Sequence, residues 1–342
     1  MLNLPLLTKL PASKSLVSNL IDIYHTKEWG ELNAKKDGGI YCVFEFKNEF
    51  GKIIYPYVKR KVGKINGIQY YDLITPNGFS GPVLLNIDSN NKFLIDTFDD
   101  AFNRHCFQNR IISEYIRFNP LISNHTHFKK IFHLKFNNNT YYTNLLNGDF
   151  FLTEYSSKIR NVIRNSIKKG VEIQFDFEGE TLADFYRLYH MMVTKNNVSK
   201  ARILSFNYLK KSFKALQSKQ FIVNAKFKGQ IISSAIFLNY GKWIHYHLAA
   251  NDPLYTSMNG NSNILYEVSK WGVLNNFEAL HLGGGFSKEL VHFKKQFSCK
   301  NKLEFFVGIK IRNKKIQSLL ELRNKDQNSA FPSFLSASNF KY

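Results

Sequence analysis

Hydrophobic residues recur at helical spacing from Thr153 to Gly170, where Ile159, Val162, Ile163 and Ile167 share a stripe and Lys158, Arg160, Arg164 and Lys168 fill the other faces. Gly170 suits the end of such a helix, and VEIQFDF then alternates apolar with polar, as a half-buried strand does. A helix follows from Thr181 to about Lys195, and Ser205 opens a second one. FIVNAKF and IISSAIFL flank Lys228-Gly229, and WIHYHLA comes next. A helix over roughly Ser262 to Asn275, the strand EALHLG, a helix from Ser287 to Phe297 and the strand LEFFVGIKI complete the order β-α-α-β-β-β-α-β-α-β. The first half reads as a shorter version. IYCVFEF and KIIYPYV form a hairpin, YYDLI adds a strand, Phe93 to His105 a helix, and RIISEYIRF and FKKIFHLKF two more strands. The polar, Asn-rich stretch from Asn137 to Asn144 marks the expected boundary between domains 1–140 and 141–342.

Composition narrows the class. The chain has 342 residues, of which 44% are hydrophobic, enough for one large core or two smaller ones. No apolar run approaches the ~20 residues of a helical membrane span, and the start of the chain lacks the basic and apolar regions of a signal peptide. Three widely spaced cysteines, Cys42, Cys106 and Cys299, read as reduced thiols. A cytoplasmic protein is expected. The net charge of +21 draws polyanions, from nucleic acid to phosphorylated small molecules. No run of five like charges occurs, so a basic nucleic-acid tail is not expected.

The element order resembles the GNAT acyltransferase fold, and several blocks resemble its FemABX-like branch of two GNAT-like units. These are YDLITPNGFSGPVL (71–84), SSKIRNVIRNSIKKGVEI (156–173), NSNILYEVSKWG (261–272), HLGGG (281–285) and HFKKQF (292–297). Ser166 stands where the branch usually has Ala. The resemblance implies an α/β fold with mixed sheets and two tandem GNAT-like domains, the C-terminal one complete. It also implies a sheet splayed between WIHYHLA and EALHLG, with the acyl donor lying in the gap.

Within that frame, the backbone N–H groups of Leu248 and Ala249 are expected to hold the acyl carbonyl. The run Asn259-Gly260-Asn261-Ser262-Asn263 is expected to bind the pyrophosphate of CoA at a helix start, although the usual Gly-rich signature is missing and a plain helix cap explains the residues as well. Lys294 can polarise the acyl carbonyl, with Lys295 the lesser choice. His281 and His247 can relay the amine proton, while His245 and His247 share one strand face and Tyr246 takes the other. Trp29, Phe79, Ser80, Lys195 and Tyr246 are the expected acceptor contacts, Phe79 by stacking. The pairs His245/His247 and His125/His127 lack a third ligand, so no metal is expected.

The function expected from these residues is transfer of an acyl group from acyl-CoA to the amino group of a nucleotide-linked amino sugar, for surface polysaccharide. The alternative is a FemABX-type transferase that moves an amino acid from aminoacyl-tRNA to a peptidoglycan precursor. A non-enzymatic binding module on the same fold is a third reading, disfavoured by the intact Lys294 and HLGGG blocks.

Overall fold

The computed structural model describes residues 21–85, 91–195, 203–285 and 287–326. The contacts of the described residues divide into two compact units, one within 140–303 and one within 21–139 together with 304–326. Residues 304–326, assigned to the C-terminal domain on sequence, group by their contacts with the N-terminal unit.

In the N-terminal unit α1 (Lys27–Ala34) precedes the antiparallel pair β1 (Gly39–Asn48) and β2 (Gly51–Ile65), followed by β3 (Ile68–Ile74). The short β4 (Val83–Leu85) pairs with β2. Helix α2 (Asn91–Gln108) leads to β5 (Ile111–Arg117), which lies parallel to β3. The one-turn α3 (His125–Phe128) comes before β6 (His133–Asn144). The core gathers Phe98, Phe102, Phe118 and Phe128 with Tyr55 and Leu73. Strand β6 differs from expectation. It starts later than FKKIFHLKF and runs straight through the Asn-rich stretch read as a boundary. Thr140 and Thr143 are buried and Tyr141 enters a core, so side-chain alternation outweighs the turn preference of asparagine.

The C-terminal unit opens with the one-turn α4 (Phe150–Thr153) and α5 (Ser157–Lys168). Ser156 caps α5 by accepting the Ile159 N–H at 3.2 Å, which starts the helix later than its apolar stripe suggests. Then come β7 (Glu172–Asp176), α6 (Leu182–Lys195), α7 (Phe206–Leu216), β8 (Gln220–Phe227), β9 (Gln230–Tyr240), β10 (Trp243–Asn251), α8 (Gly260–Leu274), β11 (Ala279–Gly283) and α9 (Lys288–Gln296). The element order is the predicted one. Strands β7 to β10 form an antiparallel meander, and β11 pairs parallel to β10. Lys228 (φ 50°) and Gly229 (φ 78°) both take positive φ in the β8–β9 hairpin, as its two-residue turn requires.

Alternation divides this sheet between two cores. Phe221, Val223 and Ala225 meet Ile163 of α5 and Ile264, Leu265 and Val268 of α8 on one face. Ile222 and Ile236 meet Leu182, Phe185 and Leu209 of α6 and α7 on the other. Strand β12 (Lys302–Ile311) pairs with β5 through Val307–Ile311, and α10 (Lys314–Asp326) follows it. No helix among the described residues is long and apolar enough to cross a membrane.

Candidate functional site

Strands β10 and β11 pair only from Trp243↔Ala279 to His245↔His281. Strand β10 then runs on to Asn251, bonded on its other side to β9. One residue beyond the last parallel pair, β10 slips against β9. Tyr246 faces Phe237, but Leu248 faces Ile236, so His247 is an extra residue in a β-bulge. The bulge interrupts the alternation expected of the strand. Tyr246 and His247, assigned to opposite faces, both line one cavity of about 530 Å³.

That cavity lies beside the open stretch of β10. Its walls include Tyr246 to Ala249 of the strand, Asn259 to Ser262 at the start of α8, and Leu290, Phe293 and Lys294 of α9. The three α9 residues stand at i, i+3 and i+4, one helix face, which Ser287 helps to set by accepting the Leu290 N–H at 3.1 Å. Met192 of α6 and Ser233 of β9 complete parts of the wall. Sequence reasoning missed Met192, Ser233, Leu290 and Phe293 as site residues. The spacing of Leu290, Phe293 and Lys294 was the available signal.

Lys294 is not the solvated lysine that a helix surface would present. It is 8% exposed, and its Nζ donates to the carbonyl oxygen of Gly284, just past β11. Burial lowers its pKa from the ordinary lysine value to about 8. At neutral pH it is still mostly an ammonium ion, desolvated and poised to donate. The Tyr246 phenol is pushed up by burial, so it stays a neutral hydroxyl.

The remaining predicted residues fall in several places. His281 is buried, its Nδ1 3.2 Å from Nδ1 of His245, and neither lines the cavity. Asn263 is buried and its Nδ2 donates to the Val171 carbonyl at 3.3 Å. Lys195 is exposed at the end of α6, away from the cavity lining. Trp29, Phe79 and Ser80 belong to the N-terminal unit. Trp29 is buried and its Nε1 donates to the Asn77 carbonyl, while Phe79 packs edge-on against Tyr24 at 5.7 Å and Phe305 at 5.0 Å. Ser80 is buried and its N–H donates to the Arg117 carbonyl at 2.8 Å. Lys295 is exposed, 6.0 Å from the centre of the Tyr141 ring. His125 stacks on Phe306 at 4.5 Å.

Two donors of the expected pyrophosphate turn are already used. The N–H groups of Ser262 and Asn263 are already bonded to the Asn259 carbonyl at 3.0 and 3.3 Å. Gly260 is spent on packing, because a Cβ there would lie 2.4 Å from Ser233 Oγ and 2.9 Å from Ala225 Cβ. Asn259 takes the left-handed conformation (φ 57°) that starts the helix.

No family model matches the chain. A stretch of 135 residues is 27% identical to UDP-N-acetylmuramoylpentapeptide-lysine N(6)-alanyltransferase of Weissella viridescens. That stretch is 38% of this chain and spans only 38% of the relative. Among solved structures, FemX is similar over 88% of this chain and 95% of its own, with TM-score 0.68 and 13% identity. The L-PGS structure from Bacillus licheniformis is similar over 87% of this chain and 90% of its own, with TM-score 0.52 and 12% identity. These findings overturn the expected acyl-CoA donor and nucleotide-linked amino-sugar acceptor. The relative is named for moving an alanyl group to the N6 of a lysine in a muramoyl pentapeptide. Within the FemABX resemblance, that chemistry goes with aminoacyl-tRNA and not with CoA. The expectation of no specific nucleic-acid partner falls with it. The chain is thus a mixed α/β protein with two domains in a GNAT-like arrangement.

Proposed function

We propose that this protein transfers an aminoacyl group from the 3′-terminal ester of an aminoacyl-tRNA to a side-chain amine of a UDP-muramoyl-peptide precursor of peptidoglycan. The observation that carries this reading is the buried ammonium of Lys294, facing a cavity beside the open edge of β10. Such a site suits aminolysis of an ester. The neutral acceptor amine attacks the ester carbonyl, a C–N bond forms, and the carbonyl oxygen gains negative charge. Lys294, with its pKa near 8, donates to that oxyanion together with the one N–H group of Leu248 and Ala249 that points away from β9. Collapse breaks the C–O bond, and the ribose oxygen leaves with the proton that the amine has lost. His247 lines the cavity and is the histidine in reach to carry that proton. Tyr246 adds a neutral hydroxyl donor, and Leu290, Phe293 and Met192 bound the space open to the amino-acid side chain.

The test is direct. Purified protein is incubated with UDP-muramoyl-pentapeptide carrying a lysine and with a mixture of radiolabelled aminoacyl-tRNAs. The expected product is the pentapeptide bearing one added amino acid on that lysine, seen by mass spectrometry. Transfer from acyl-CoA, or no transfer from any aminoacyl-tRNA, would sink the reading.

A further inference from the structure

A second cavity, of about 510 Å³, opens between α5 and α9. It shares Asn259, Ser262 and Phe293 with the reaction cavity, so a ligand can reach both by passing Phe293. The two helices are tied together at one end, where the Ser156 N–H donates to the Gln296 carbonyl at 2.8 Å. Lys158, Lys288, His292 and Gln296 supply its polar lining, and Ile159, Val162 and Phe293 its apolar lining. Glu289 is the single acid of the lining, at the first turn of α9.

The cavity opens onto a basic helix. Between Ser157 and Lys168, α5 carries Lys158, Arg160, Arg164 and Lys168 and no acid, and Lys169 follows. Lys158, Arg164, Lys168 and Lys169 are exposed. Among the described residues none of them forms an ion pair. Arg160 instead donates to the Tyr155 carbonyl at 2.7 Å, and Arg164 lies over the Phe151 ring at 5.5 Å. Exposed cations without ion pairs, on a helix that borders a partly apolar cavity, fit a phosphodiester chain whose last base leaves the backbone and stacks.

We propose that α5 and this cavity seat the RNA part of the donor. The terminal nucleoside occupies the α5–α9 cavity against Phe293, its ester passes Asn259 and Ser262 into the reaction cavity, and the preceding phosphates follow Lys158, Arg164 and Lys168. The identity of the RNA rests on the donor in the proposed function; the polyanion face rests on charge and shape alone.

The experiment compares wild type with the triple variant Lys158→Glu, Arg164→Glu, Lys168→Glu, and with a control of the same charge change on α7, Lys210→Glu, Lys211→Glu, Lys214→Glu. Binding of uncharged tRNA is followed by fluorescence anisotropy against salt, with phosphatidylglycerol vesicles as a second probe. Transfer is measured with aminoacyl-tRNA and with the aminoacyl ester of the terminal cytidine-adenosine dinucleotide. The α5 variant should bind tRNA at least 30-fold more weakly, with a log–log salt slope shallower by about 2 for three lost single-strand contacts. Its KM for aminoacyl-tRNA should rise at least tenfold, and that for the dinucleotide ester, which meets Lys158 alone, by a smaller factor. Unchanged tRNA binding, an equal loss in the α7 control, or α5-dependent binding of vesicles but not tRNA each overturns the proposal. If wild type transfers from no aminoacyl-RNA but α5 still governs tRNA binding, the reaction assigned above fails while the RNA surface stands.

Discussion

Each unit places a parallel strand pair after antiparallel strands, and the two pairs end differently. In the C-terminal unit, β10 and β11 part after His245↔His281, and the freed edge of β10 borders a cavity. In the N-terminal unit, β3 and β5 stay paired to the last residue of β3, Ile74↔Tyr115. The contact then continues through Thr75 N–H to the Tyr115 carbonyl at 3.2 Å and through the Ser80↔Phe118 bridge. The buried Arg117 bonds across that end. Its Nη2 donates to the carbonyls of Thr75 and Pro76 at 2.8 and 3.0 Å, and its Nε to Thr75 Oγ1 at 3.2 Å. One plan thus serves two ends. Both ends hold a buried cation bonded to backbone carbonyls, Arg117 in the N-terminal unit and Lys294 in the C-terminal one, and Lys294 also lines a cavity, where it is available for chemistry.

The largest expected effect comes from removing the Arg117 guanidinium. Arg117→Ala strands two buried carbonyls, at about 1–3 kcal/mol for a group left unpaired. A loss of about 3 kcal/mol in unfolding free energy is expected, read from the urea midpoint. A midpoint within error of wild type would mean that the guanidinium's hydrogen bonds contribute no net stability.

Lys294 tests the open end. Lys294→Met should lower transfer about a hundredfold, about 2.7 kcal/mol of transition-state stabilisation. It should not lower stability at pH 7. A lysine whose folded pKa of about 8 lies below its unfolded 10.5 penalises folding below pH 8, and the penalty fades as pH rises towards 10.5. Removing the charge offsets up to about 3 kcal/mol at pH 7, less the bond to Gly284, and the gain over wild type should shrink by pH 10. In wild type, kcat/KM should fall above about pH 8 as the ammonium is lost, and Lys294→Arg should remove that limb from its profile. A melting point that drops at pH 7, with transfer intact, would return Lys294 to a purely structural role.

Gly260→Ala sharpens the contrast at the cavity rim. The added methyl meets Ser233 Oγ and Ala225 Cβ well inside contact distance, and overpacking of this kind costs about 2 kcal/mol. The double variant Gly260→Ala, Ser233→Gly should recover part of the loss in a thermal melt. No recovery would show that the strain lies elsewhere.

Much of the fold was legible because its signals are local. The stripe of Ile159 and Ile163, the alternation of Phe221 to Ala225 and the turn at Lys228-Gly229 each name their own element. What stayed hidden depends on partners distant in sequence. Asn137 to Asn144 reads as a loop until the burial of Thr140 and Thr143 makes it strand. The shared cavity of Tyr246 and His247 follows from a slip against β9 that periodicity in β10 cannot contain. Of the site, Lys294, His247 and the start of α8 were found by resemblance and meet at one cavity. His281 looked equivalent to His247 in sequence and is set apart only by its burial against His245.

The extra residue in β10 has an evolutionary reading. Ile244, Tyr246 and Ala249 all contribute to the α5–α8 core, while Leu248 and Ala250 contribute to the α6–α7 core. Excising His247 would therefore give an unbroken ladder with every one of these side chains still on its own side. The strand can be regularised by losing one codon, with no rewriting of either core. A bulged strand and a regular one are therefore neighbours in sequence space, separated by a single deletion.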